Sequence, residues 1–141
     1  MSPEKVLYTA RATATGGREG TAHTDDGRLS VDLSTPTELG GGGGSGTNPE
    51  QLFACGYAAC FLGALKLVAG KADVNLPDNT SVQAEIGIGP IDTGFGLTAD
   101  LTITAAGVDK DTLQDLVQQA NVVCPYSNAT QNNINVNLSV A

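Results

Sequence analysis

Residues 47–71, TNPEQLFACGYAACFLGALKLVAGK, decide how the rest of the chain must be arranged. Asn48 can accept a bond from the free N–H groups of a helical first turn, Pro49 fits the first helical position, and Glu50 suits its positive end. The spacing predicts a helix from there to about Gly70 and Lys71. Its middle, Leu52 to Leu67, is apolar around most of its circumference, which predicts burial.

Working outward, residues 6–13 (VLYTARAT) and 28–33 (RLSVDL) read as half-buried strands on either side of the turn Thr24-Asp25-Asp26-Gly27. Residues 81–89 and 95–105 alternate like a hairpin around a Pro90 to Gly94 turn. From Asp109, the apolar residues Leu113, Leu116, Val117 and Ala120 mark a second helix that ends near Cys124-Pro125. Residues 134–140 alternate as a closing strand. Without regular βαβ alternation the expected fold is α+β, with mainly antiparallel sheets around a long buried central helix and residues 1–141 as a single domain. One small sheet shields only one side of an apolar helix, so an intimate dimer is expected.

A net charge of -8 and scattered Lys and Arg disfavour nucleic acid or an anionic membrane as partner, because such binding needs clustered cations. The opening residues lack the apolar core of a signal peptide, and the reading is a cytoplasmic protein. Cys55, Cys60 and Cys124 are odd in number, and a reducing compartment points to redox chemistry or plain burial. A metal site would need His23 and distant carboxylates to join them, so no metal is expected.

Cys60 lies ten residues into the helix, beyond the reach of its dipole, and burial alone would raise its pKa and leave it inert. A reactive Cys60 needs a cation from elsewhere: Arg11, Arg18 or Arg28, of which Arg18, in a loop, is the least committed to a strand. Cys124, at a helix C-terminus, suits a resolving thiol better than a nucleophile. Both cysteines could equally be packing residues. Cys55 is five residues before Cys60. That is about 7.5 Å of rise and about 140° of turn, beyond comfortable disulfide reach.

Gly41 to Gly46 satisfies G-x-G-x-x-G, but no parallel βαβ unit follows and no ribose-binding acid is placed for it, so it reads as a turning loop. His23 sits beside the Thr24 to Gly27 turn, where a solvated histidine is the simpler account than a Cys-His hydrolase.

Thr47-Asn48-Pro49-Glu50-Gln51-Leu52-Phe53, continuing through Gly56-Tyr57-Ala58-Ala59-Cys60-Phe61, resembles the organic hydroperoxide resistance proteins of the OsmC-type family. Leu7-Tyr8-Thr9-Ala10, the glycine loop and Cys124-Pro125-Tyr126-Ser127-Asn128-Ala129 extend the resemblance over essentially the whole chain. Departures are Cys55, where many relatives carry a small non-thiol residue, and Gln131-Asn132-Asn133 in place of a basic, glycine-containing run.

The resemblance implies a thiol peroxidase that reduces organic hydroperoxides, fatty-acid hydroperoxides included, to alcohols. It implies Cys60 as peroxidatic thiol, Cys124 as resolving thiol, Arg18 as activating cation and Glu50 as the carboxylate that orients it. It further implies a Cys60–Cys124 disulfide, an intertwined homodimer, no bound cofactor, and an external dithiol reductant, a lipoylated protein. Glu50 and Cys60 on one straight helix are about 15 Å apart along its axis, which calls for a site completed by the second subunit. Phe53, Leu52, Phe61 and Phe95 suggest bulky organic peroxides over hydrogen peroxide. The competing reading is a non-enzymatic thiol redox sensor or binding module. A closer one is the osmotically induced branch of the same superfamily.

Overall fold

The computed structural model describes residues 2–141, which divide into two compact units with the boundary inside the long helix, after Leu52. The first unit holds an antiparallel sheet of β1 (Ala12–Thr15), β2 (Thr21–Thr24) and β3 (Ser30–Asp32) in the order β1-β2-β3. The expected strand over 6–13 begins only at Ala12: of the preceding residues Arg11 alone extends the ladder, its carbonyl accepting the Asp25 N–H at 3.0 Å, and Val6, Leu7 and Tyr8 are exposed. The β-rich composition of that segment is real, but a strand also needs a partner edge. β2 escaped the sequence reading because its four residues, Thr-Ala-His-Thr, carry no large apolar side chain.

Helix α1 (Pro49–Lys71) starts as its sequence dictates. Asn48 Oδ1 accepts the Gln51 N–H at 2.8 Å, and Thr47 Oγ1 donates to Gln51 Oε1 at 2.7 Å. It ends at Lys71, where expected. The left-handed residue is Asp73, φ 56°, not a glycine, and Val74 N–H donates back to the Ala69 carbonyl at 2.9 Å.

In the second unit β4 (Ser81–Ile91) and β5 (Gly94–Thr104) form the expected hairpin around Asp92-Thr93. Helix α2 (Lys110–Val123) is capped by Asp109, which accepts the Thr112 N–H at 3.0 Å. A short helix α3 (Pro125–Thr130), absent from the sequence reading, follows Cys124 directly. β6 (Val136–Val140) closes the sheet beside β5, and this pairing is parallel. Pairing is mainly antiparallel, as expected, and the second sheet is mixed. The reason is that α2 and α3 carry the chain back before β6 begins, so β6 runs the same way as β5.

The core joins Tyr57, Phe61, Ala64, Leu65, Val68 and Ala69 of α1 to Ala99, Leu101 and Ile103 of β5 and to Leu113, Leu116 and Val117 of α2. α1 is long and apolar enough to cross a membrane by length and composition, and this face of it is core. It is not covered all round within the chain: Gln51, Cys55, Ala59 and Gly63, at four-residue spacing, are exposed.

Candidate active site

Arg18 stands in a single 3-10 turn, Gly17–Glu19, that joins β1 to β2. Glycine is required after it, because a Cβ on Gly20 would run into the Thr15 carbonyl. Its guanidinium grips Glu50, in the first turn of α1, with a two-pronged contact: Nη1 donates to Oε2 at 2.9 Å and Nη2 to Oε1 at 2.6 Å. The side chains are 38% and 15% exposed, so the carboxylate is the sheltered partner. The bond from Arg18 holds the Glu50 carboxyl below its ordinary value against the opposing effect of burial, and raises that of Arg18 in turn. Arg28 pairs instead with Asp26 at 3.6 Å on the surface, and His23 is exposed on β2.

In the second unit Cys60, half-buried on α1, meets Cys124, which is fully buried, with the sulfurs 3.6 Å apart. Cys124 has extended backbone angles, φ -62° and ψ 121°, and is at once the residue that ends α2 and the one that begins α3. Reading it as a plain helix C-terminus was therefore incomplete; the Pro125 ring favours that extended conformation and starts the next helix. Burial pushes the Cys60 thiol above its ordinary 9.0; the Tyr126 backbone N–H, donating to the sulfur, opposes this, and the neighbouring Cys124 thiol adds to it. Cys55 is exposed and stands apart as a free cysteine.

Sequence reasoning missed the contacts that join α1 to the segment after Cys124. Phe53, Tyr57 and Tyr126 pack their rings with centroids 5.8 to 6.0 Å apart. The Tyr57 hydroxyl lies 2.9 Å from Ser127 Oγ and 3.1 Å from Thr130 Oγ1, all three side chains buried. The signal was present as hydroxyl residues in the segment after Cys124, but nothing local tied them to α1. Phe53 and Phe95, with Ile91, Leu97 and Ile134, line a cleft of about 700 Å³. Phe61, expected near substrate, is instead sealed in the core at 0% exposure, one residue round the helix from Cys60.

The four residues expected to act thus come together as two pairs, Arg18 with Glu50 and Cys60 with Cys124, each inside one unit. Residues 41–139 match the family described as OsmC-like protein. The organic hydroperoxide resistance protein of Xanthomonas axonopodis pv. citri (strain 306) is 60% identical over 140 residues, covering 99% of both chains.

The chain belongs to the organic hydroperoxide resistance proteins of the OsmC-like family.

Solved structures of this family agree with that membership. The Legionella pneumophila organic hydroperoxide resistance protein superposes with a TM-score of 0.91 at 46% identity, covering 97% of this chain and 99% of that one. A Vibrio cholerae organic hydroperoxide resistance protein, crystallised with captopril in one of its active sites, gives 0.92 at 45% identity, covering 99% and 95%. A protein described as responding to osmotic stress, from Psychrobacter arcticus, shares only the fold at 17% identity. The hydroperoxide branch is the one to which the chain is close.

Proposed function

We propose that this protein is a cytoplasmic thiol peroxidase that reduces organic hydroperoxides and so defends the cell against oxidative stress. The observation that carries the reading is the 3.6 Å contact between Cys60 and Cys124, from helices far apart in sequence, with one sulfur partly accessible and the other buried. The name of the 60% identical relative supports the substrate class.

The Cys60 thiolate attacks the terminal oxygen of ROOH, the O–O bond breaks, and the alkoxide takes a proton to leave as ROH. Cys60 is left as a sulfenic acid. Cys124 then attacks its sulfur, expelling water and forming the Cys60–Cys124 disulfide. An external dithiol, a lipoyl group on a partner protein, restores both thiols by two-electron exchange and leaves as its own disulfide. No bound cofactor is required. Captopril carries a thiol, and its presence in an active site of the Vibrio relative fits a site that admits a thiol reductant.

Because burial raises the Cys60 pKa, a cation must lower it again. Arg18 supplies that charge, with Glu50 fixing its plane. α1 rises about 15 Å between Glu50 and Cys60, more than one guanidinium spans, so the Arg18–Glu50 pair of one subunit serves Cys60 of the other in an intertwined homodimer. The open Gln51, Cys55, Ala59 and Gly63 stripe of α1 is the surface such a dimer would cover. Phe53 and Phe95 at the cleft favour bulky alkyl or fatty-acid hydroperoxides over hydrogen peroxide.

The test is to mix prereduced protein with one equivalent of an organic hydroperoxide and map its thiols by non-reducing peptide mass spectrometry. Peroxide consumption with a Cys60–Cys124 disulfide is expected, and both are lost in Cys60→Ser. Unreacted peroxide with free thiols overturns the reading in favour of a sensor or binding module.

A further inference from the structure

We propose that Tyr57 is a positioning residue for the resolving step, holding α3, and through it Cys124, in register against Cys60. The inference rests on the peroxidase reading above and extends it to a residue with no thiol chemistry of its own.

Tyr57 lies one helical turn before Cys60 on α1, and Ser127 and Thr130 follow Cys124 by three and six residues. The Thr130 hydroxyl donates to the Tyr126 carbonyl at 3.0 Å and the Ser127 carbonyl at 3.2 Å, so its single proton is committed and its oxygen accepts from Tyr57. The Tyr57 oxygen in turn accepts from Ser127. This one-directional chain from Ser127 through Tyr57 to Thr130 ties the short helix to α1 along its length. α1 and α3 are thus joined twice, by the hydroxyl chain and by the meeting of Cys60 with Cys124.

A second contact has the same effect. A Cβ on Gly56 would come within 2.9 Å of the Tyr126 hydroxyl and 3.2 Å of its ring, so glycine there lets Tyr126 lie close against α1. Closing a 3.6 Å sulfur contact to a bond of about 2.05 Å requires α3 to stay in register while one sulfur advances. Tyr57 keeps that register without touching either sulfur through its hydroxyl.

Removing the hydroxyl leaves the attack on peroxide intact and slows the condensation of Cys60 sulfenic acid with Cys124. The longer-lived sulfenic acid then meets a second ROOH, which transfers an oxygen to give sulfinic acid and ROH.

The experiment compares wild type, Tyr57→Phe, Thr130→Val and Thr130→Ser, each prereduced and mixed with excess organic hydroperoxide. The first-step rate is read from peroxide loss, disulfide from quenched mass spectra, and sulfinic acid as a mass gain on the Cys60 peptide. Tyr57→Phe and Thr130→Val are expected to form disulfide about three- to tenfold more slowly and to accumulate sulfinic acid, with the first step unchanged and Thr130→Ser close to wild type. A general loss of packing would lower Tm in both Thr130 variants without this separation of steps. Disulfide formed by Tyr57→Phe at the wild-type rate overturns the inference and leaves the peroxidase reading standing. Absence of any disulfide in wild type overturns both.

Discussion

Arg18 and Glu50, 32 positions apart, meet through two parallel N–H···O bonds of 2.9 and 2.6 Å. Such a fork fixes both the position and the plane of the guanidinium, which a lone lysine ammonium in its place would not do.

If that fork activates Cys60, Arg18→Gln raises the pKa of the thiol by about one to three units, the usual effect of losing a close opposite charge. The more basic thiolate that remains is intrinsically more nucleophilic, which offsets about half of the loss on a logarithmic scale. The second-order rate with an organic hydroperoxide at neutral pH is expected to fall about 3- to 50-fold, and its pH profile to move to the alkaline side. Arg18→Lys, which keeps the charge and loses the fork, should lie between. Stopped-flow rates across the pH range check both.

Cys124→Ser should leave the first step fast and trap Cys60 as sulfenic acid, labelled by a sulfenic-acid reagent such as dimedone. Only about one equivalent of peroxide is then reduced rapidly, with slower loss to sulfinic acid following. Steady turnover with a dithiol reductant in this variant would count against Cys124 as the resolving thiol.

The pair also sets an acid limb of stability. The Glu50 carboxyl titrates below its ordinary 4.5 in the folded chain because Arg18 donates to it. Its contribution is therefore complete above about pH 4.5, the unfolded value, and is lost as pH falls through the lower folded value. Glu50→Gln should lower Tm at neutral pH and flatten the acid limb, so that the two curves of Tm against pH converge at low pH.

The open stripe of α1 offers a test of assembly. Cys55→Asp places a charge in the middle of Gln51, Cys55, Ala59 and Gly63. If a second subunit covers that stripe, the unpaired buried charge costs several kcal/mol and the dimer dissociates, with peroxidase activity lost and far-UV circular dichroism retained. Size-exclusion chromatography with light scattering reads the mass. A variant that stays dimeric and active would place the interface elsewhere.

The core is expected to respond in the ordinary way. Leu101 is wholly buried on β5 between α1 and α2 residues, and Leu101→Ala should cost about 2 to 5 kcal/mol in urea unfolding. Asn48→Ala, which removes the cap bond to Gln51, should cost about 1 kcal/mol.

The elements legible in the sequence were those specified by neighbouring residues. Asn48-Pro49-Glu50 announced the start of α1 through capping chemistry, and the alternation of 81–89 and 95–105 announced the hairpin through the two-residue period of a strand. The roles expected of Cys60, Cys124, Arg18 and Glu50 came from the family resemblance, and the fold brings the four residues together as two pairs. Tertiary structure alone decided the rest. Residues 6–11 have strand composition but form no strand within the chain, because a strand is made by its partner and not by propensity. β6 runs parallel to β5 because the path of α2 and α3 returns the chain before it. Whether Cys60 faces Cys124, and whether Tyr57 reaches Ser127 and Thr130, depends on how α1 and α3 pack across more than sixty residues of chain. No periodicity encodes such contacts; they exist only once the core has brought distant helices within a few ångströms of each other.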